Sequence, residues 1–147
     1  MAVSRALRRL LRVLEIEEEQ SRLALESAVG ELGILERSMT ATKVRERSGR
    51  RLFISSAKSG ELPDRLAGLE ETRAARRRAD ALAPRIAYAE AEVTAFREAF
   101  FSKRVERRQA ETLINETETQ DAVIAGRRGQ QAIADWYLNR LHPTKNS

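Results

Sequence analysis

The residues of this 147-residue chain whose types suit acid–base, metal or nucleotide chemistry are isolated from one another. The single histidine, His142, stands beside Pro143 in a polar tail, whereas metal sites and proton transfer commonly use histidine together with other converging ligands or bases. The segment 126–131, Gly-Arg-Arg-Gly-Gln-Gln, lacks the Lys and Ser/Thr of a nucleotide-binding loop. Neither feature predicts a catalytic or nucleotide-binding site.

Acidic neighbours are the remaining catalytic candidates. Glu70 with Glu71, and Glu116 with Glu118, are more typical of a solvated helix face than of a catalytic dyad, because no pocket is implied around them. The absence of cysteine excludes thiolate metal sites and disulfides and is typical of a reducing cytoplasm. We therefore predict a non-enzymatic protein without cofactor or metal.

The composition predicts that the chain is helical almost throughout. A third of the chain is charged and 5% is aromatic, and Ala, Leu, Glu and Arg, which are strong helix formers, dominate. Helical runs over 4–56 and 64–141 flank a bend at 57–63 that contains Gly60 and Pro63, with Asp64 as a cap. This pattern predicts an all-α fold, a long antiparallel two-helix coiled-coil hairpin that forms one domain over 1–147, and no membrane insertion.

Apolar residues recur at heptad spacing in both runs and predict the seam along which the helices meet. The two columns of the first run are Leu7, Leu14, Ser21, Ala28, Leu35, Thr42 and Gly49, and Leu11, Glu18, Leu25, Leu32, Met39, Glu46 and Phe53. The return run continues the pattern through Leu82, Ile86, Ala89, Val93, Phe96, Phe100, Lys103, Arg107, Ala110, Ile114, Thr117, Asp121 and Ile124. Glu18 and Glu46 fall in the seam, which predicts loose pairing there, and Arg22 and Arg50 are their expected helix-surface partners.

The return run contains a proline and is longer than its partner. Pro84 cannot donate a hydrogen bond to the carbonyl group of Asp80, so we expect a kink or a break near it. About 78 residues on the return arm would outrun about 53 on the first. Either 64–83 folds as short helices at the tip, or the C-terminal end extends past the N-terminus, and we expect some of each.

The charge pattern leaves two further functions open. A net charge of +5 accompanies these basic clusters: Arg8, Arg9 and Arg12; Arg50 and Arg51; Arg76, Arg77 and Arg78; Lys103, Arg104, Arg107 and Arg108; Arg127 and Arg128. They are dispersed and interleaved with Glu, which favours solvated or protein-facing charge over a nucleic-acid footprint. A basic hairpin that binds nucleic acid and a generic coiled-coil scaffold remain the alternatives.

The last helical turns carry an aromatic motif. Ile133, Trp136, Tyr137 and Leu141 share one face. They are expected to pack onto the N-terminal Leu7, Leu10, Leu11 and Leu14, to form a docking site together with Arg128 and Arg140, or to do both, since Trp, Tyr and Arg concentrate binding energy at interfaces. The sequence supports both interpretations.

Three parts of the chain resemble one family. The chain resembles the flagellar export protein FliJ and injectisome counterparts of the YscO kind over nearly its whole length. The parts that carry the resemblance are the spacing of apolar and charged residues over 9–24, the Arg-rich centre, and the ending 127–136, Arg-Arg-Gly-Gln-Gln-Ala-Ile-Ala-Asp-Trp. The resemblance implies a cytoplasmic stalk of the type III export apparatus, similar to the central stalk of rotary ATP synthases. Its implied partners are a hexameric export ATPase, the cytoplasmic domain of the export gate and export chaperones, at the cytoplasmic face of the inner membrane.

The same resemblance implies an orientation for the hairpin. The paired termini would face the ATPase, with Arg8, Arg9, Arg12, Arg128, Trp136, Tyr137 and Arg140 as contact residues. The bend would face the gate, with Phe53, Leu66, Leu69 and Arg76 as the candidates.

Overall fold

Two helices make up the part of the chain that the structure describes. In the computed structural model, which describes residues 4–141, α1 spans Arg5–Ser59 and α2 spans Leu62–Leu141. The helices pack against each other as an antiparallel hairpin, and these residues contain no strand. The predicted all-α hairpin is confirmed. The single histidine, His142, lies outside the described residues.

The bend is shorter than predicted. Gly60 adopts φ +77°, a left-handed conformation that favours glycine, and its N–H group donates to the carbonyl oxygen of Ser56 at 2.8 Å, which closes α1. Pro63 lies in the first turn of α2, where its missing N–H group has no intrahelical partner to lose. The boundaries therefore fall at 59 and 62 rather than at 56 and 64. Asp64 lies within the first turn of α2, where its negative charge suits the helix dipole.

The buried residues follow the heptad seam. The four buried positions of α1, namely Ala28, Thr42, Gly49 and Ser56, are all multiples of seven residues apart. On α2 the buried positions alternate on the same three- and four-residue steps, and they are Gly68, Thr72, Ala75, Leu82, Ala89, Val93, Ala110 and Ile114. The predicted seam is thus confirmed, and small side chains occupy much of it.

The hairpin comprises two compact units. Of the described residues, unit 1 contains 4–19 and 102–141, and unit 2 contains 20–101. In unit 2 the two helix backbones approach closely at Gly49 and Gly68. A Cβ atom on Gly49 would lie 2.9 Å from the carbonyl oxygen of Gly68, and one on Gly68 would lie 2.7 Å from the carbonyl oxygen of Gly49. Glycine is therefore required at both positions by the approach of one backbone to the other.

The length difference between the arms is resolved at the C-terminal end. α2 is one continuous helix through Pro84, so the described residues contain neither a break there nor separate short helices over 64–83; the kink stays a prediction. Residues 122–141, which we call the terminal segment, are all exposed. This segment extends α2 by about 30 Å without packing against α1.

Candidate partner-binding surfaces

The apolar start of α1 packs on residues 106–113 of α2 and not on the terminal segment. Leu7, Leu10 and Leu14 line a cleft with Gln109, Ala110 and Leu113 of α2. Trp136 and Tyr137 are instead 57% and 58% exposed, and Ile133 and Leu141 are exposed as well. The predicted packing of the aromatic motif onto the N-terminal leucines is therefore wrong, because the heptad register places those leucines opposite 106–113.

The predicted ATPase-end residues form two separate groups. Arg8 forms an ion pair with Glu118 at 3.5 Å, and Arg9 and Arg12 are exposed on the same part of α1. Trp136 follows Glu118 by 18 residues, which is about 27 Å along a helix axis. The N-terminal arginines therefore lie near Glu118 of α2, about five helical turns before Trp136. Arg128, Trp136, Tyr137 and Arg140 stand on the terminal segment.

The terminal segment presents its aromatic residues away from the seam. At about 100° per residue, Ile133, Trp136, Tyr137, Arg140 and Leu141 share one face of α2. Ile124 and Leu138 continue the heptad spacing of Thr117 and Asp121 and so lie on the other side. The guanidinium carbon of Arg140 is 5.2 Å from the centroid of the Trp136 ring, a cation–π contact. A partner can therefore contact this aromatic face without displacing α1.

A layer of charged residues crosses the seam in unit 1. Glu18 hydrogen-bonds to Arg107, whose guanidinium group also bonds to Glu111 at 2.8 Å. Lys103 donates to Glu17 at 2.9 Å and to Glu106 at 3.5 Å. The hydrogen bond to Glu17, with lesser contributions from the charges of both carboxylates, raises the pKa of Lys103, although partial burial opposes it. The layer holds α1 to α2 by ion pairs where an apolar seam would use leucine.

Glu18 and Glu46 each have a partner across the seam that the sequence-based expectation did not include. Arg22 hydrogen-bonds to Glu26, and the cross-helix partner of Glu18 is Arg107. Glu46 does bond to Arg50, at 2.9 Å as predicted, but also to Arg76 of α2, at 3.2 Å. Helix periodicity predicts pairs of residues four apart in the same helix. The pairs of Glu17 with Lys103 and Glu18 with Arg107 are 86 and 89 residues apart in sequence, so they depend on how the two helices are aligned.

Near the bend, a groove of about 240 Å³ lies between the helices of unit 2. Its lining residues are Arg50, Phe53, Ile54, Leu69, Thr72 and Arg76. Three of the four predicted tip residues, Phe53, Leu69 and Arg76, are brought together here, while Leu66 is exposed and does not line the groove. Sequence reasoning missed Ile54 as a site residue, because this position lies next to the seam column and not in it.

Over 4–141, no group of three or more His, Asp or Glu side chains is arranged to hold a metal ion. Neither of the two helices has an apolar stretch sufficient to cross a membrane. Comparison with protein families, curated proteins and solved structures found no match.

Proposed function

We propose that this protein is a non-enzymatic stalk or coupling component of the flagellar type III export apparatus. The family assignment rests on the sequence resemblance over 9–24 and 127–136. The structural observation that supports it is the terminal segment, which presents Trp136 and Tyr137 beside Arg140 with no α1 residue covering them. In this proposal the terminal segment binds the hexameric export ATPase.

The chemistry of the terminal segment suits a pore lined by acidic loops. Arg127, Arg128 and Arg140 outnumber the single acid Asp135 over residues 122–141. Opposite charges on the ring would speed and orient the encounter, while the exposed aromatic rings would supply the apolar contact. Because the aromatic face is turned away from the seam, the hairpin stays intact when the segment is bound.

The remaining partners belong to the same proposal. The export gate would meet the bend end, where Phe53, Leu69 and Arg76 line one groove, and export chaperones would bind elsewhere on the hairpin. Through these partners the protein would lie at the cytoplasmic face of the inner membrane.

The test compares two double variants of the terminal segment in an export-ATPase stimulation assay. We expect Trp136→Ala with Tyr137→Ala to abolish stimulation while circular dichroism stays nearly unchanged, because both side chains are exposed. Ile124→Ala with Leu138→Ala is the matched control, since it removes two exposed apolar residues from the opposite face. Full stimulation by the aromatic variant, or equal loss in the control, would contradict the proposed binding face.

Nucleic acid is the second candidate partner. The observation that favours it is the basic residues near the bend, namely Arg50, Arg51, Arg76, Arg77 and Arg78. If nucleic acid were the partner, binding would weaken steeply with salt, with a slope set by the phosphates contacted, and replacing Arg76, Arg77 and Arg78 by Ala would reduce that slope. We expect only weak association that vanishes near physiological salt. Tight binding at that salt, together with co-purification of nucleic acid and no export ATPase, would favour the alternative.

A further inference from the structure

We propose that the groove near the bend is a second binding site, whose ligand is an acidic segment of a partner protein that inserts one large apolar side chain. The groove lies within unit 2 and is lined by residues of both helices. This groove is the one assigned above to the export gate, so the inference rests on that part of the proposed function; it shares no residue with the terminal segment and does not depend on binding to an export ATPase.

The charge around the groove is concentrated by the fold. Residues 43–54 and 65–78 together carry ten basic and three acidic side chains, a net charge of +7, whereas the entire chain carries +5. The contact of Gly49 with Gly68 and the ion pair of Glu46 with Arg76 place these two stretches side by side. The most basic region of the molecule thus surrounds the groove and favours an anionic partner.

The rim of the groove offers donors to carboxylates. Arg50 and Arg76 both line the groove, and both bond to the same carboxylate, that of Glu46. One carboxylate between two guanidinium groups leaves one positive charge in excess, and a guanidinium has five N–H donors in a fork that suits carboxylate oxygens. A ligand with acidic residues on both sides of its anchor matches this arrangement.

The floor of the groove is apolar and open to solvent. Ile54 is 57% exposed and Phe53 is 37% exposed, and Leu69 completes the surface. At about 240 Å³ the groove is smaller than most sites for drug-sized ligands. It therefore suits a single leucine- or phenylalanine-sized side chain, whose burial would remove these surfaces from water.

The shape and lining favour a protein segment over other anions. The floor lies between two helices, where the flat surface of a bilayer does not reach it. Stacked nucleic-acid bases need aromatic platforms, and Phe53 is the one aromatic residue in the lining. A neighbouring groove beside Thr42, Arg45 and Arg78 has only Ala74 and Ala75 as its apolar lining, so it offers no comparable surface to a large apolar side chain.

The test measures fluorescence anisotropy of a labelled peptide in which one leucine is flanked by glutamates on both sides. We expect Ile54→Ala in the full-length protein, or Leu→Ala in the peptide, to weaken binding about tenfold, the effect of losing most of one buried apolar contact. Leu23→Ala removes an equally exposed apolar residue elsewhere in unit 2 and should leave binding unchanged. Equal binding of the leucine and alanine peptides would overturn the proposal.

A second variant separates ligand binding from hairpin stability. Glu46→Gln removes the carboxylate that competes for Arg50 and Arg76, so we expect the acidic peptide to bind several-fold more tightly than it does to Glu31→Gln, which makes the same change of charge elsewhere on α1. Equal or weaker binding by Glu46→Gln, with circular dichroism showing that the hairpin is intact, would overturn the proposal. Binding of anionic phospholipid vesicles or of an oligonucleotide, without binding of the peptide, would do the same.

Discussion

Glu18 of α1 and Arg107 of α2 hydrogen-bond to each other across the seam of unit 1, with their side chains only 16% and 20% exposed. Both positions belong to the heptad columns, where a coiled coil ordinarily carries apolar residues. Arg107 bonds to Glu111 as well, and the hydrogen bonds to Glu18 and Glu111 raise its pKa above the ordinary value.

The Glu18–Arg107 pair predicts opposite effects of single and double replacement. Glu18→Leu should lower the melting temperature, because it leaves the half-buried guanidinium of Arg107 without its cross-helix partner. Adding Arg107→Leu should restore or exceed the original melting temperature, since an apolar pair then fills the seam. Thermal unfolding followed by circular dichroism gives the double-mutant cycle. Purely additive losses would indicate that the two side chains do not interact.

Glycine replacements should change stability in opposite directions at two positions of α1. Gly49→Ala should lower the free energy of unfolding by about 1–3 kcal/mol, because its Cβ atom would collide with the backbone of α2. Gly30→Ala should raise it by about 0.5–1 kcal/mol, since no atom lies within 4 Å of the added carbon and alanine favours the helix. Urea unfolding of the two variants measures both effects. A stabilising Gly49→Ala would mean that the backbones of Gly49 and Gly68 are too far apart for the added carbon to collide.

Lys103 predicts a loss of stability at alkaline pH. Its pKa is raised above the ordinary value of 10.5, chiefly by the hydrogen bond to Glu17. Because the folded state has the higher pKa, the stabilisation is complete below the unfolded-state value and is lost as the pH rises through the raised value. Lys103→Arg keeps its charge at these pH values and should therefore show a flatter profile.

Urea unfolding of both proteins as the pH rises above 10.5 tests this prediction. The other titrating groups are common to the two chains, so the difference between the profiles isolates Lys103. Parallel profiles would show that the ion pair with Glu17 contributes nothing measurable.

Pro84 should mark a locally weaker part of α2. The proline has no N–H group to donate to the Asp80 carbonyl, although the helix continues through it. We expect amide exchange over 79–83 to be faster than around Val93, which is buried in the same unit. Pro84→Ala should slow this exchange and stabilise unit 2 by up to about 3 kcal/mol. Uniform exchange on both sides of Pro84 would contradict the prediction.

The sequence by itself determined the helices and the face of each that is buried. Heptad spacing identified Ala28, Thr42, Ala89 and Val93 as seam residues, and they are buried, because side chains seven residues apart return to the same side of a helix. The terminal motif was identified in the same way. Its exposure was not, since the sequence left packing and docking equally open.

The tertiary structure decided which residues of the two helices meet. The pairing of Glu18 with Arg107, the contact of Gly49 with Gly68 and the groove beside Ile54 all depend on the alignment of α1 with α2. Periodicity along one helix carries no information about that alignment, because every shift by one heptad preserves the buried face. The two-residue bend at Gly60 and Glu61 fixes the alignment in unit 2. Within unit 1, the ion pair of Arg8 with Glu118 leaves Trp136 of the terminal segment beyond the reach of α1.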